Sequence, residues 1–152
     1  MLAPSRQNYQ LLETIAITNQ TADTTAVTKG VHVPPWANHA TFVIELTMTG
    51  TTPTFDFVLQ GVNVAVAQPP DDSDVYNLGG WDGITQKTAA TAQFVSIDVG
   101  PSIDTDDTGS ATASDRYGVA AFLPPVIAYK YTTTGADDDE DYAATISVYW
   151  GK

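Results

Sequence analysis

The chain has 152 residues, 18 acids against six basic residues, a net charge of −12 and no cysteine. That balance argues against direct binding to nucleic acid or anionic membrane, which require basic patches. The missing cysteines exclude disulfides, thiol catalysis, Cys-ligated zinc and iron–sulfur clusters. The length supports one domain, or one domain with an arm, and a 43% hydrophobic fraction is enough for a core. Threonine occurs 22 times, 15 of the 18 acids are aspartate, and glutamate occurs only three times. Strand and turn formers therefore outweigh helix formers, and the expected class is all-β.

Residues 1–10 are polar with a few anchors, Leu2, Pro4 and Tyr9, and read as a short N-terminal arm before a domain over 11–152. No basic-then-apolar secretory pattern is visible there, and no stretch approaches 18 consecutive apolar residues. Leu11 to Thr18 reads as a first strand, with Leu11, Ile15 and Ile17 on one face and Glu13 interrupting it. Asn19-Gln20-Thr21 fits a glycosylation sequon, a triplet common by chance in a Thr-rich chain. Thr24 to Thr28 and Val31 to Val33 are short strand candidates split by Lys29-Gly30, and Pro34-Pro35 stops any central strand.

The clearest element is Ala40 to Met48, where Ala40, Phe42, Ile44, Leu46 and Met48 alternate with Thr41, Val43, Glu45 and Thr47. Thr54 to Gln60 repeats the pattern with Phe55, Phe57 and Leu59 inward. The loop between them, Thr49 to Pro53, predicts a β-hairpin. Val62, Val64 and Val66 extend that ribbon past Gly61, a candidate bulge. Val75 to Leu78 predicts a short strand before the turn Gly79 to Gly83. Thr91 to Val99 predicts another, with Phe94 in the opposite phase to Val95, Ile97 and Val99. Tyr117 to Leu123 and Val126 to Thr132 are strands split by Pro124-Pro125, and Tyr142 to Trp150 closes the domain with Trp150 inward. About eight strands with turn punctuation predict a jelly-roll-like β-sandwich or barrel.

Chemistry-bearing patterns are few. His32 and His39 flank Pro34-Pro35-Trp36 but sit in no motif, and Glu45 and Asp56 take the outward phase of their strands. Twelve of the 18 acids fall in Asp71 to Asp74, Asp104 to Asp115 and Asp137 to Asp141, as solvated loop charge. One of these loops carries a sharper pattern. Asp104, Asp106 and Thr108, then Gly109 and Asp115, stand at positions 1, 3, 5, 6 and 12 of a calcium-loop spacing. The match is partial, because Asp replaces the long bidentate Glu and no helices flank the loop. Trp36, Trp81 and Trp150 offer a sugar-stacking platform on paper. Tryptophans in a sandwich more often fill the core, and Trp36, beside two prolines, is the contact candidate.

The run Gly30-Val31-His32-Val33-Pro34-Pro35-Trp36-Ala37, then Ala40 to Thr47 and Gly50-Thr51-Thr52-Pro53-Thr54, resembles small structural proteins of tailed bacteriophages. Leu123-Pro124-Pro125 to Gly135 and the Tyr142 to Trp150 strand look like the close of that domain, so the resemblance spans about residues 15–67 and 119–150. It implies a non-enzymatic virion component, most similar to a capsid decoration (cement) protein. Such a protein is a homotrimer, made in the host cytoplasm, that sits on the outer capsid surface and clamps the major capsid protein. The interface residues expected from exposure and chemistry are Arg6, Tyr9, Pro34, Pro35 and Trp36. No cofactor is expected beyond the candidate calcium. Two other readings stand beside this one: a tail, head-fibre or adsorption module of the virion, and a carbohydrate-binding module.

Overall fold

The computed structural model describes residues 8–17, 27–48, 54–62, 74–87, 93–103, 114–134 and 141–152. Among them are ten strands: β1 (Tyr9–Ile17), β2 (Val27–His32), β3 (His39–Met48), β4 (Thr54–Val62), β5 (Val75–Asn77), β6 (Ile84–Lys87), β7 (Gln93–Gly100), β8 (Ser114–Ala120), β9 (Val126–Thr134) and β10 (Tyr142–Gly151). They form two five-stranded sheets. One runs β1-β10-β3-β7-β8. The other runs β2-β9-β4, with β5 and β6 both on the far edge of β4.

First strand pairs with last, and second with second-last; β3 then adds to β10 and β4 to β9. The chain is thus folded back on itself and rolled, the jelly-roll form of an all-β sandwich. All neighbouring strands are antiparallel except β7 and β8, which run parallel. The face between the sheets is filled by alternate residues: Phe42, Ile44 and Leu46 of β3, Phe55, Phe57 and Leu59 of β4, and Ile146, Val148 and Trp150 of β10. Aromatic rings organise this interior. Phe55 stacks on Phe57 and Tyr131 at centroid distances of 6.3 and 6.1 Å. Phe57 stacks on Tyr129, and Phe42 meets Trp150 edge-on.

Several expectations are corrected. β3 and β4 do not form a hairpin: β3 pairs with β10 and β7, while β4 lies in the opposite sheet against β9. Their apolar faces meet across the core instead of lying side by side, because alternation specifies the buried face and leaves the edge partner open. Gly61 is no bulge. It keeps register with Ile127 and Tyr76, and the Tyr76 ring occupies the space where a Cβ would stand. Leu11 faces solvent at 52% exposure, since a bulge between Leu11 and Glu13 shifts the phase of β1. Leu12 packs against the core in its place. β2 runs unbroken through Lys29-Gly30, with Gly30 opposite Ala128. β8 stops at Ala120, short of Leu123, and β1 begins at Tyr9, inside the segment expected as an arm. Phe94 and Trp150 take the expected sides, exposed and buried respectively.

The open margin between β1 and β2 is bridged by polar chemistry. Glu13 of β1 accepts from Lys29 Nζ of β2 and, at 3.4 Å, from the Tyr129 hydroxyl of β9. Burial, then the Glu13 charge, raises the Tyr129 phenol well above its ordinary value, and the same two causes raise Tyr131. A bulge together with an inward charge also blunts β1 as an edge open to another strand.

Candidate interaction surface

Strand directions gather one set of connections at a single end of the sandwich. The start of β1, the finish of β2, β4, β7, β8 and β10, and the beginnings of β3 and β9 all lie there. Two Pro-Pro segments meet at this end. Val33 N–H donates to the Pro125 carbonyl at 2.9 Å, which joins Val33-Pro34-Pro35 to Leu123-Pro124-Pro125. Ala37 N–H closes a turn on the Pro34 carbonyl, and Asn38 N–H donates to the Gly151 carbonyl at 3.0 Å. On the other side, Ala121 N–H donates to the Gly100 carbonyl at 3.0 Å and ties the β8–β9 connection to the end of β7. Proline fixes φ at four positions here, so the backbone is held with little freedom left to lose on binding.

This rigid frame carries aromatic side chains that point away from the core. Trp36 is 40% exposed and Phe122 82% exposed, the most exposed large apolar residue described. Pro35 and Pro125 are also exposed. Tyr9 opens β1 at the same end and pairs with Tyr149, rings 5.1 Å apart, on the outer side of the first sheet. The next residues across that face are Thr41 and Asp98. Thr41 Oγ1 donates to Asp98 at 2.6 Å, and Arg116 donates to Asp98 through Nε and Nη2 at 3.1 and 2.9 Å.

Of the expected interface residues, Tyr9, Pro34, Pro35 and Trp36 are brought to one end, and Arg6 lies outside the described residues. Asp104, Asp106 and Thr108 of the candidate calcium loop also lie outside them. Asp115 is on β8, with its side chain not described. Among the described residues no group of three or more His, Asp or Glu side chains is placed to hold a metal. His32 and His39 end up in different sheets. The three tryptophans form no platform: Trp150 is buried in the core, Trp81 leans on Tyr117 at 5.9 Å, and only Trp36 faces out. Phe122 was not among the expected interface residues. Its signal was the second Pro-Pro pair, Leu123-Pro124-Pro125, which repeats the pattern of Val33-Pro34-Pro35 beside an aromatic.

No family model and no curated protein matches the chain. Among solved structures it is similar to an exo-beta-agarase, with 10% identity and a TM-score of 0.43 over 99% of this chain. The chain spans about a quarter of that protein, 24% of its length.

Proposed function

We propose that this chain is a capsid decoration protein of a tailed bacteriophage, a non-enzymatic cement that docks on the major capsid protein through its proline-braced end. The observation that carries the reading is the exposure of Phe122 and Trp36 on a frame rigid enough to hold them there. Fully burying one such side chain is worth about 1.5–3 kcal/mol, and Phe122, 82% exposed, leaves most of that stabilisation unused. Aromatic anchors on a preorganised surface are what protein interfaces concentrate at their centres. The resemblance over residues 15–67 and 119–150 supplies the partner: a capsid shell whose neighbouring subunits the protein clamps from outside, as a trimer. The strong net acidity suits an outward-facing part that must not adhere to nucleic acid.

The test adds purified protein to capsids lacking it and follows their survival under heat or osmotic shock. The reading expects saturable binding and a raised survival temperature. Capsids that stay equally fragile at saturating protein would defeat it. Light scattering behind a sizing column reads the expected trimer in the same preparation.

A further inference from the structure

The outer face of the first sheet gathers exposed apolar side chains. Four of the seven large ones that stand exposed among the described residues lie on it: Tyr9 and Leu11 of β1, Tyr149 of β10 and Phe94 of β7. None of the seven lies on the outward positions of β2, β4 or β9 in the second sheet. Register joins the four into one stripe. Tyr9 stands opposite Tyr149 and Leu11 opposite Ser147. Ser147 in turn stands opposite Val43, and Phe94 is the diagonal neighbour of Val43. Ser147 takes the outward phase, between the buried Ile146 and Val148, yet it is only 7% exposed, so its neighbours close over it. A contiguous stripe of this kind marks a contact surface, where scattered apolar residues would not.

The same face is nearly free of net charge. Among the described residues, the charged side chains on its outward positions are Glu45, Asp98 and Arg116. Arg116 neutralises Asp98 through two hydrogen bonds, so one unit of net charge remains on this face of a chain at −12. A basic partner would be steered to the acids elsewhere on the chain and not here. An equally acidic partner is repelled least at this face. Its size fits as well. Five strands of seven to ten residues, at about 4.8 Å between strands and about 3.3 Å per residue, make a face of about 600 Å². Covered on two copies, that is about 1,200 Å², above the roughly 1,000 Å² a specific contact needs.

The geometry points to this face as the contact between copies of this chain. The occupant is a second copy, which carries the same charge of −12 and meets the least repulsion here. The inference gives the trimer of the proposed function its contact face and rests on that reading only for the number of copies. Trp36 and Phe122 lie on connections at the proline-braced end and not on these five strands, so they stay free for the capsid.

Light scattering behind a sizing column, run without capsids over a dilution series, tests it. The parent is expected to assemble. Leu11→Glu and Phe94→Glu, each with the circular dichroism of the parent, should raise the dissociation constant at least about tenfold. Val58→Glu adds the same charge to the outer face of the second sheet and should assemble as the parent does. In the 15N-labelled parent, dilution should move the amides of Leu11, Val43 and Phe94 and leave those of Val58 and Thr132 in place. The contact face is overturned if the parent stays monomeric at about 1 mM, if both folded variants assemble as the parent does, if Val58→Glu weakens assembly equally, or if the dilution shifts map elsewhere. Capsid survival plays no part in these readings, so failure here leaves the proposed docking to its own test.

Discussion

The interior and the proline-braced end use the same side chains to opposite effect. Between the sheets, Phe42, Phe55, Phe57 and Trp150 are buried in ring-on-ring contact. At the end, Trp36 and Phe122 project from the frame. The difference lies in the backbone beneath them. An alternating strand sends every second residue to the core, whereas paired prolines cannot join a ladder and place their neighbours outside the pleat. Aromatics in the interior are explained by folding alone. Those at the end are not, and the proposed docking role rests on that asymmetry.

Substitutions in the sandwich itself are expected to cost stability, in descending order of effect. Phe57→Ala removes the ring that touches both Phe55 and Tyr129, and should cost about 3–5 kcal/mol in denaturant unfolding. Gly83→Ala should cost about 1–3 kcal/mol, because its φ of 90° and the Phe57 carbonyl both resist a Cβ. Gly61→Ala should cost less, since the neighbour that must yield is the half-exposed ring of Tyr76, which can swing aside.

The next prediction concerns pH. Tyr129 and Tyr131 hold their protons more tightly folded than unfolded. Stability from them is complete below about pH 10, the unfolded phenol value, and is lost as pH rises from there through the raised folded values. Glu13→Gln removes one cause of both shifts, so thermal melts of that variant should fall less steeply above about pH 10. At neutral pH the smallest effect is expected: breaking the half-exposed Glu13–Lys29 pair with Lys29→Met should change stability by at most about 1 kcal/mol.

The fold was largely legible because period-two patterning is a direct record of burial. The inward faces of β3, β7 and β10 follow from the residues alone, down to the exposed phase of Phe94. Strand partners were not legible. The short Gly/Pro loop after β3 is compatible with a hairpin and with a crossing to the other sheet, and only the competing match of β4 to β9 decides between them. The bulge in β1 was hidden because Leu11 and Leu12 are equally apolar, so either could have faced the core. The proline-braced end was half legible: Trp36 announces itself beside Pro34-Pro35, but the hydrogen bond that brings Phe122 into the same end links residues 92 positions apart.

On the proposed reading, the exposed aromatics serve a capsid and not the fold. The double variant Trp36→Ala, Phe122→Ser tests it most directly, added to capsids lacking the protein and measured beside the parent for both its own melting and the heat survival of the capsids. The expected result is a stability within about 2 kcal/mol of the parent, well short of the cost of Phe57→Ala, together with loss of capsid protection. A variant that protects capsids as well as the parent, or one that unfolds as severely as Phe57→Ala, would contradict it.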